Sequence, residues 1–101
     1  MDECPVTASF LMPKDRRYVD PEAPRLARLM AAKAMIPSPP AHVAHMLFML
    51  TFDPDAQVRE QALATAQSER SMVLLSQALQ GPALELPVAE FCRWMLALPR
   101  A

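Results

Sequence analysis

The sequence predicts an all-α domain, and three observations carry that prediction. One glycine among 101 residues argues against β-hairpins, whose tight turns need residues that adopt positive φ. Eleven prolines stand at intervals that suit helix starts, where the first-turn N–H has no intrahelical partner. Between the prolines, apolar residues recur at helical spacing. We expect about five helices in antiparallel pairs, and a hydrophobic content of 52% is enough to bury one core.

The first 20 residues are the least regular part of the chain. Phe10-Leu11-Met12 is an apolar cluster that is followed by a proline and a charged stretch. We expect residues 1–20 to form a partly ordered arm that docks through Phe10 and Leu11, and an unattached tail is the alternative. Residues 21–101 are expected to form a single helical domain.

Two predicted helices fill residues 24–52. The first begins near Pro24, because a proline disfavours helical geometry in the preceding residue, and it ends before Pro37. Its expected buried face consists of Leu26, Leu29, Met30 and Ala34. The second helix follows Ser38, the expected N-cap, and is apolar around most of its circumference. We expect it to be buried on several sides or to enter an oligomer interface; its apolar residues are Val43, Met46, Leu47, Phe48, Met49, Leu50 and Phe52.

The turn Asp53-Pro54-Asp55 joins the second helix to the third. Asp53 is the expected N-cap and Pro54 the first helical position, with Asp55 near the positive end of the helix dipole. A turn this short predicts that the two helices pack antiparallel. The residues expected to be buried in the third helix are Val58, Ala62, Leu63 and Ala66.

Two more helices complete the predicted domain. Ser68 is the expected N-cap of the fourth helix, which should bury Met72, Leu75 and Leu79. Gly81, the only glycine, is expected to end this helix in the left-handed conformation. The fifth helix begins at Pro87 and ends before Pro99; its expected inward residues are Val88, Phe91, Cys92 and Met95.

The segment 41–66 resembles a HEAT repeat. The resemblance is carried by a leucine-rich first helix, an aspartate-containing turn, a Val-Arg pair and correctly spaced alanines; the matching residues are Leu47, Leu50, Asp53, Asp55, Val58, Arg59, Ala62, Leu63 and Ala66. The opening Ile36-Pro37-Ser38-Pro39-Pro40 is similar to that of helical-repeat modules in uncharacterised bacterial proteins. The resemblance implies a short stack of helix pairs whose faces are covered by neighbours. It also implies that Arg59 pairs with Asp53 or Asp55 and fixes the turn, although the flanking helices do not repeat the signature.

Six residues are the candidates for partner binding, because they are large and fall outside the main buried faces of the predicted helices or in the N-terminal arm. They are Trp94, Phe52, Met49, His45, Phe10 and Leu11. Trp94 falls outside the inward face of the last helix, and exposed tryptophan is enriched at binding hot spots. The alternative is that Trp94 covers the N-terminal arm. Met49, Phe52 and His45 form a second candidate patch on the far side of the second helix. The eight methionines suit an adaptable surface and also fill cores.

Three other functions receive less support from the residues. The basic stretch 16–33 could bind nucleic acid, but acidic residues interrupt it and the net charge of −1 gives no overall attraction to phosphates. His42 and His45 have the spacing of a metal-binding pair, but no third ligand lies nearby in sequence. A nucleophile elbow, a glycine-rich phosphate loop and a paired-carboxylate motif are all missing. We therefore expect neither an enzyme nor a cofactor.

The sequence thus predicts a non-catalytic protein–protein interaction module, a small adaptor or scaffold that binds another protein or itself as a homodimer. A small nucleic-acid-binding regulator that uses the stretch 16–33 is the alternative. The N-terminus is acidic where a signal peptide is basic, and the longest apolar run, 46–50, is too short to span a bilayer. Cys4 and Cys92 could pair, but a reducing cytoplasm is the expected setting, with no membrane attachment.

Overall fold

A computed structural model describes residues 3–81 and 84–99, and all regular elements within them are helical. The predicted all-α class is confirmed. The five predicted helices are present, and a one-turn helix in the N-terminal arm raises the number of α-helices among these residues to six. They are preceded by a 3-10 turn, Ala8–Phe10, and their bounds are α1 Pro13–Arg16, α2 Arg25–Ala32, α3 Pro40–Leu50, α4 Ala56–Gln67, α5 Ser71–Gln80 and α6 Leu86–Ala97. None of the described helices is long and apolar enough to cross a bilayer.

Helix α3 is the centre of the molecule. Seven of its eleven residues are buried, which agrees with the apolar circumference expected from its sequence. It contacts the 3-10 turn of the arm and each of the helices α2, α4, α5 and α6. Every other major helix therefore uses α3 as part of its packing surface.

Helices that are two apart in the chain pack against each other. Helix α2 packs on α4, and α3 packs on α5. Helix α6 packs on α5 and α3 but meets α4 through only a few residues. The weak contact between α4 and α6 leaves a depression between these two helices.

Helix α2 buries a different face from the one predicted. Leu26 is 72% exposed and Met30 is 40% exposed, whereas Arg28 is only 8% exposed. Arg28 turns inward because its guanidinium donates to the carboxylate of Asp53 and to the carbonyl of Ala23. The small residues on the same face bring α2 close to its neighbours; they are Ala31 and Ala32, both buried.

The turn between α3 and α4 is held by three arginines. Asp55, not Asp53, is the N-cap of α4, and its carboxylate accepts the N–H groups of Gln57 and Val58. The Asp53 carboxylate instead accepts a hydrogen bond from the Arg28 guanidinium. The Asp55 carboxylate also accepts one from Arg25 Nε, at 2.7 Å. The Arg25 guanidinium lowers the pKa of the Asp55 carboxyl below its usual value.

Arg59 fixes this turn in a way that the sequence did not predict. Its guanidinium donates to the backbone carbonyls of Asp53 and Pro54 at 2.8 and 3.0 Å. The expected pairing of Arg59 with an aspartate side chain is therefore wrong. Arg59 instead satisfies carbonyl oxygens at the turn, while Arg25 and Arg28 of α2 pair with the two carboxylates.

Three further helix ends differ from the predictions. The Ser38 hydroxyl donates to buried Asp15 of the arm rather than capping α3. The Ser68 hydroxyl donates to the Thr65 carbonyl at the end of α4, so it does not cap α5. Gly81 has φ −80° and ψ 179°, an extended conformation that does not require glycine. The left-handed residue among those described is Ala34, with φ 57°.

The N-terminal arm packs against the helices through apolar side chains. Val6, Leu11 and Val19 belong to the same buried cluster as the residues of α3. Arg16 braces the arm by donating to the carbonyls of Leu11 and Ser9 at 3.0 and 3.2 Å. The expected docking through an apolar cluster is present, with Leu11 as its buried residue.

Candidate partner-binding groove

An open apolar groove of about 610 Å³ lies where α4 and α6 diverge over the end of α3. We name it the Trp94 groove. Helix α3 and the residues after it supply the floor, α4 supplies one wall and α6 the other. Its lining residues are Phe48, Thr51, Phe52, Leu63, Gln67, Pro87, Glu90, Phe91, Trp94, Met95 and Leu98.

Aromatic rings dominate this groove. Four of the six aromatic residues in the chain line it. The ring of Phe48 packs edge-on against both Phe52 and Phe91, with centroid distances of 5.3 Å in each case. Edge-on contacts are a favoured geometry for aromatic pairs, so the floor of the groove is apolar and consists largely of packed rings.

Trp94 stands on the α6 wall and is 68% exposed. Its predicted exposure is confirmed. The alternative, in which Trp94 covers the arm, is wrong because the ring of Phe10 stacks on His45 instead. Leu63, which the sequence placed in the core, is 40% exposed on the opposite wall. Two large apolar side chains therefore face solvent across one groove.

The groove carries one charge among its described lining residues, the carboxylate of Glu90. Glu90 lies one helical turn before Trp94 on α6, and positions four apart lie on the same side of a helix. The Thr51 hydroxyl donates to the Phe48 carbonyl at 2.6 Å, so its proton is already used within the chain. The polarity that a ligand would meet is thus mainly anionic and lies beside an aromatic ring.

The structure separates the remaining predicted binding residues from this groove. His45 is fully buried, and its Nε2 lies 2.8 Å from the Thr7 carbonyl. The Phe10 ring stacks on it at a centroid distance of 4.7 Å. Leu11 is 2% exposed, so a partner cannot reach it. Met49 is partly buried against the core, and of its predicted patch only Phe52 lines the groove.

The two histidines pack around the arm. Phe10 contacts the His42 ring at 5.1 Å and the His45 ring at 4.7 Å between centroids. Burial lowers the pKa of His45, although the Thr7 carbonyl and Glu85 act in the opposite direction. Across residues 3–81 and 84–99, no group of three or more His, Cys, Asp or Glu side chains is arranged to hold a metal ion.

Most arginines of the basic stretch are engaged within the chain. Arg25 and Arg28 pair with the two aspartates of the turn. Arg16 binds arm carbonyls, and the Arg17 guanidinium lies 4.9 Å from the centroid of the Tyr18 ring. Since these groups already have partners, the stretch 16–33 presents less free positive charge than its sequence indicates.

The cysteines offer no activated nucleophile. Cys4 and Cys92 are both free thiols. Cys92 is buried in α6, and burial raises the pKa of its thiol to about 11. A thiol with that pKa is almost entirely protonated near neutral pH and is a poor nucleophile.

Sequence reasoning missed two features of the groove. Leu63 is expected in the core together with Ala62, yet the two positions lie about 100° apart around the helix. Glu90 received no role, because only the depression between α4 and α6 makes its position relevant. The angular position of Leu63 on α4 could have indicated its exposure. The role of Glu90 could not be found from the sequence, because it depends on how α4 and α6 pack.

Comparisons with family models, curated proteins and solved structures found no match in any of the three. The function of the groove is therefore inferred from its own geometry and chemistry. The relevant observations are its aromatic floor, the exposed Trp94 and the single acidic residue Glu90.

Proposed function

We propose that this protein is a non-catalytic protein–protein interaction module, a small adaptor that binds a helix of a partner protein in the Trp94 groove. The observation that carries the proposal is the 68% exposure of Trp94 on the wall of an apolar groove. Tryptophan side chains dominate many binding hot spots, and apolar grooves between helices accept the apolar face of an amphipathic helix.

The lining of the groove specifies the chemistry of its occupant. Helix α6 and its C-cap line the groove from Pro87 to Leu98, a length of about 16 Å or three helical turns. A partner helix of that length would present apolar side chains at positions i, i+4 and i+7. A lysine or arginine at one end would meet Glu90 and the face of Trp94, because aromatic rings attract cations.

The proposed architecture is a short HEAT-like stack of antiparallel pairs. Its support is the packing of α2 on α4 and of α3 on α5, since stacked repeats bring equivalent helices together. We also propose a cytoplasmic location, in keeping with two free thiols. Neither a cofactor nor a nucleic acid is part of the proposal.

Trp94 is the only tryptophan in the chain, so its fluorescence reports directly on the groove. The probe is a synthetic 14-residue amphipathic helix with leucines at i, i+4 and i+7 and one lysine beside them. Titration should shift the Trp94 emission to shorter wavelength, because binding removes the indole from water. A peptide of the same composition with scattered leucines is the control, and it should cause no shift.

Variants of the protein locate the binding site. Phe52→Ala and Glu90→Lys should each weaken binding of the amphipathic peptide about tenfold or more, the range of an interface anchor. Val73→Ala is the matched control, because Val73 is 66% exposed on α5 and does not line the groove. Equal binding of both peptides, or equal affinity of Phe52→Ala and Val73→Ala, would contradict helix binding in this groove.

A further inference from the structure

We propose that the Trp94 groove binds the exposed face of α2 from a second copy of this chain, so that copies assemble head to tail. This inference rests on the proposed function, since it names the helix that the groove accepts. It goes beyond a symmetric homodimer, because two different surfaces of the molecule form the contact.

The exposed face of α2 has the chemistry that the groove requires. Leu26 and Met30 are 72% and 40% exposed, and Lys33 follows at the exposed C-cap. These positions are i, i+4 and i+7, within about 60° of one another at about 100° per residue. The buried face of α2 lies on the opposite side and holds Arg28, Ala31 and Ala32.

Charge complementarity selects this helix as the occupant. Glu90 is the single charged residue among the described lining of the groove, and Lys33 is the cation at the end of the α2 face. No ion pair within the described residues uses either side chain. Between copies the two charges would meet beside Trp94, where a cation also gains from the aromatic face.

The spacing of residues fits an antiparallel register of α2 against α6. With Lys33 beside Glu90, Met30 lies against Trp94, and Leu26 reaches the end of the groove at Leu98. The steps from Lys33 to Met30 and on to Leu26 are ~4.5 and ~6 Å, and each step along α6 is ~6 Å. All three side chains of α2 therefore find a counterpart in one alignment.

The donor face and the groove are separate surfaces of the molecule. Helix α2 packs against α4, and in the described part of the chain α2 shares no contact with α6. In a head-to-tail contact each copy gives its α2 face to one neighbour and its groove to another. Repetition of such a contact between unlike surfaces produces a ring or an open chain.

Sedimentation velocity over a range of protein concentrations tests the assembly. The native chain should form species larger than two copies, whereas Leu26→Glu and Trp94→Ala should each sediment as a monomer. Both substitutions affect exposed side chains, so folding is retained. Val73→Glu introduces the same charge at a comparably exposed position on α5 and should assemble like the native chain.

Mixing the two monomeric variants is the sharper test. Leu26→Glu keeps an intact groove and Trp94→Ala keeps an intact α2 face, so an equimolar mixture should form a one-to-one pair and stop there. A symmetric dimer through a single surface would not be restored in this way. Charge reversal adds a second check: Lys33→Glu and Glu90→Lys should each weaken assembly, and the double variant should recover it.

Two results would overturn the inference: a native chain that remains monomeric at millimolar concentration, or a mixture of the variants that forms no pair. The proposed function is judged separately by the peptide titration, for which the monomeric Leu26→Glu variant supplies an unoccupied groove. Peptide binding without self-assembly would retain the proposed function and discard α2 as the occupant. Loss of both would discard the groove as a binding site.

Discussion

The buried pair of Arg28 and Asp53 shows how one side chain can override helical periodicity. Leu26 and Met30 are the more apolar residues of α2, so the periodicity favours their burial. Arg28 takes the buried side because the carboxylate of Asp53, 25 residues away in sequence, receives it there. Nothing in the sequence around α2 indicates that Asp53 will lie beside it. The buried face of α2 therefore could not be predicted from its own periodicity.

Removal of Asp53 should destabilise the protein strongly. In Asp53→Ala the Arg28 guanidinium stays buried without its counter-ion, and the Asp55 N–H loses its acceptor. The expected loss is about 3–5 kcal/mol in the free energy of unfolding, as for other buried pairs that lose one partner. Urea denaturation followed by circular dichroism measures it.

Asp55→Ala is the matched comparison for that substitution. It removes the N-cap of α4 and the more exposed contact with Arg25, so the loss of stability should be clearly smaller. Equal losses in the two variants would show that the turn, and not the buried charge, determines the effect. Arg28→Met is a further check on the buried pair. Because Asp53 is buried, loss of the Arg28 guanidinium leaves its carboxylate without a counter-ion, so this substitution should also lower the free energy of unfolding substantially.

At the scale of single elements, the helices followed from the sequence better than their ends did. Proline positions and apolar spacing placed α2 to α6, because both signals belong to the helix itself. Whether a side chain caps a helix depends in part on whether its hydroxyl or carboxylate is hydrogen-bonded to another segment of the chain, and the local sequence does not show that. Ser38 was expected to cap α3, for example, but it donates to Asp15 of the arm.

The end of α2 is a Schellman motif closed by alanine. The N–H of Met35 donates to the Met30 carbonyl, and the N–H of Ala34 donates to the Ala31 carbonyl, the two bonds that define this motif. Ala34 has φ 57°, a conformation that costs an L-residue about 1–2 kcal/mol. Glycine would avoid that cost.

Ala34→Gly should therefore stabilise the protein despite the added freedom of the unfolded chain. The strain relieved exceeds the entropy penalty of glycine, about 0.5–1 kcal/mol, and a net gain of roughly 0.5–1 kcal/mol is expected. Thermal denaturation of both proteins at one concentration measures it. A lower melting temperature for Ala34→Gly would show that the left-handed alanine is not strained.

Gly81→Ala tests the sequence-based expectation that Gly81 ends α5 in the left-handed conformation. Gly81 is extended, and an added Cβ would lie 3.6 Å from the nearest carbonyl oxygen, an ordinary contact. The substitution should be tolerated or slightly stabilising, because it reduces the freedom of the unfolded chain. Marked destabilisation would restore the expectation drawn from the sequence.

At the scale of the whole molecule, His45 joins the N-terminal arm to the central helix. It is fully buried under Phe10, and its Nε2 meets the Thr7 carbonyl. Glu85, whose carboxylate lies 3.7 Å from Nδ1, and the neighbouring His42 are the titratable groups that influence it. Burial has the largest effect and lowers the pKa of His45 below the ordinary value of 6.5.

The sign of the resulting pH dependence follows from this lowered pKa. The unfolded chain takes up a proton on His45 near pH 6.5, whereas the folded chain does so only at lower pH. Stability contributed by neutral His45 is thus present above pH 6.5 and is lost as the pH falls through the folded pKa. Urea denaturation at a series of pH values should show this decrease.

His45→Gln keeps a donor for the Thr7 carbonyl and removes the titration, so the decrease in stability with falling pH should become smaller. His42→Gln is the control, since His42 is less buried, and it should keep most of the native dependence. Glu85→Gln should extend the decrease to lower pH and make it larger, because it removes the anion that favours protonated His45 in the folded chain. An unchanged pH dependence in His45→Gln would assign the effect to other groups.

The central position of α3 has a consequence for synthesis on the ribosome. Its apolar circumference is covered partly by α5 and α6, which leave the exit tunnel after it. At about 5–20 residues per second, the ~48 residues between the end of α3 and Leu98 take roughly 2–10 s to be made. During that interval the central helix lacks the cover that α5 and α6 provide, so its apolar side chains stay exposed to solvent for seconds before the core can close.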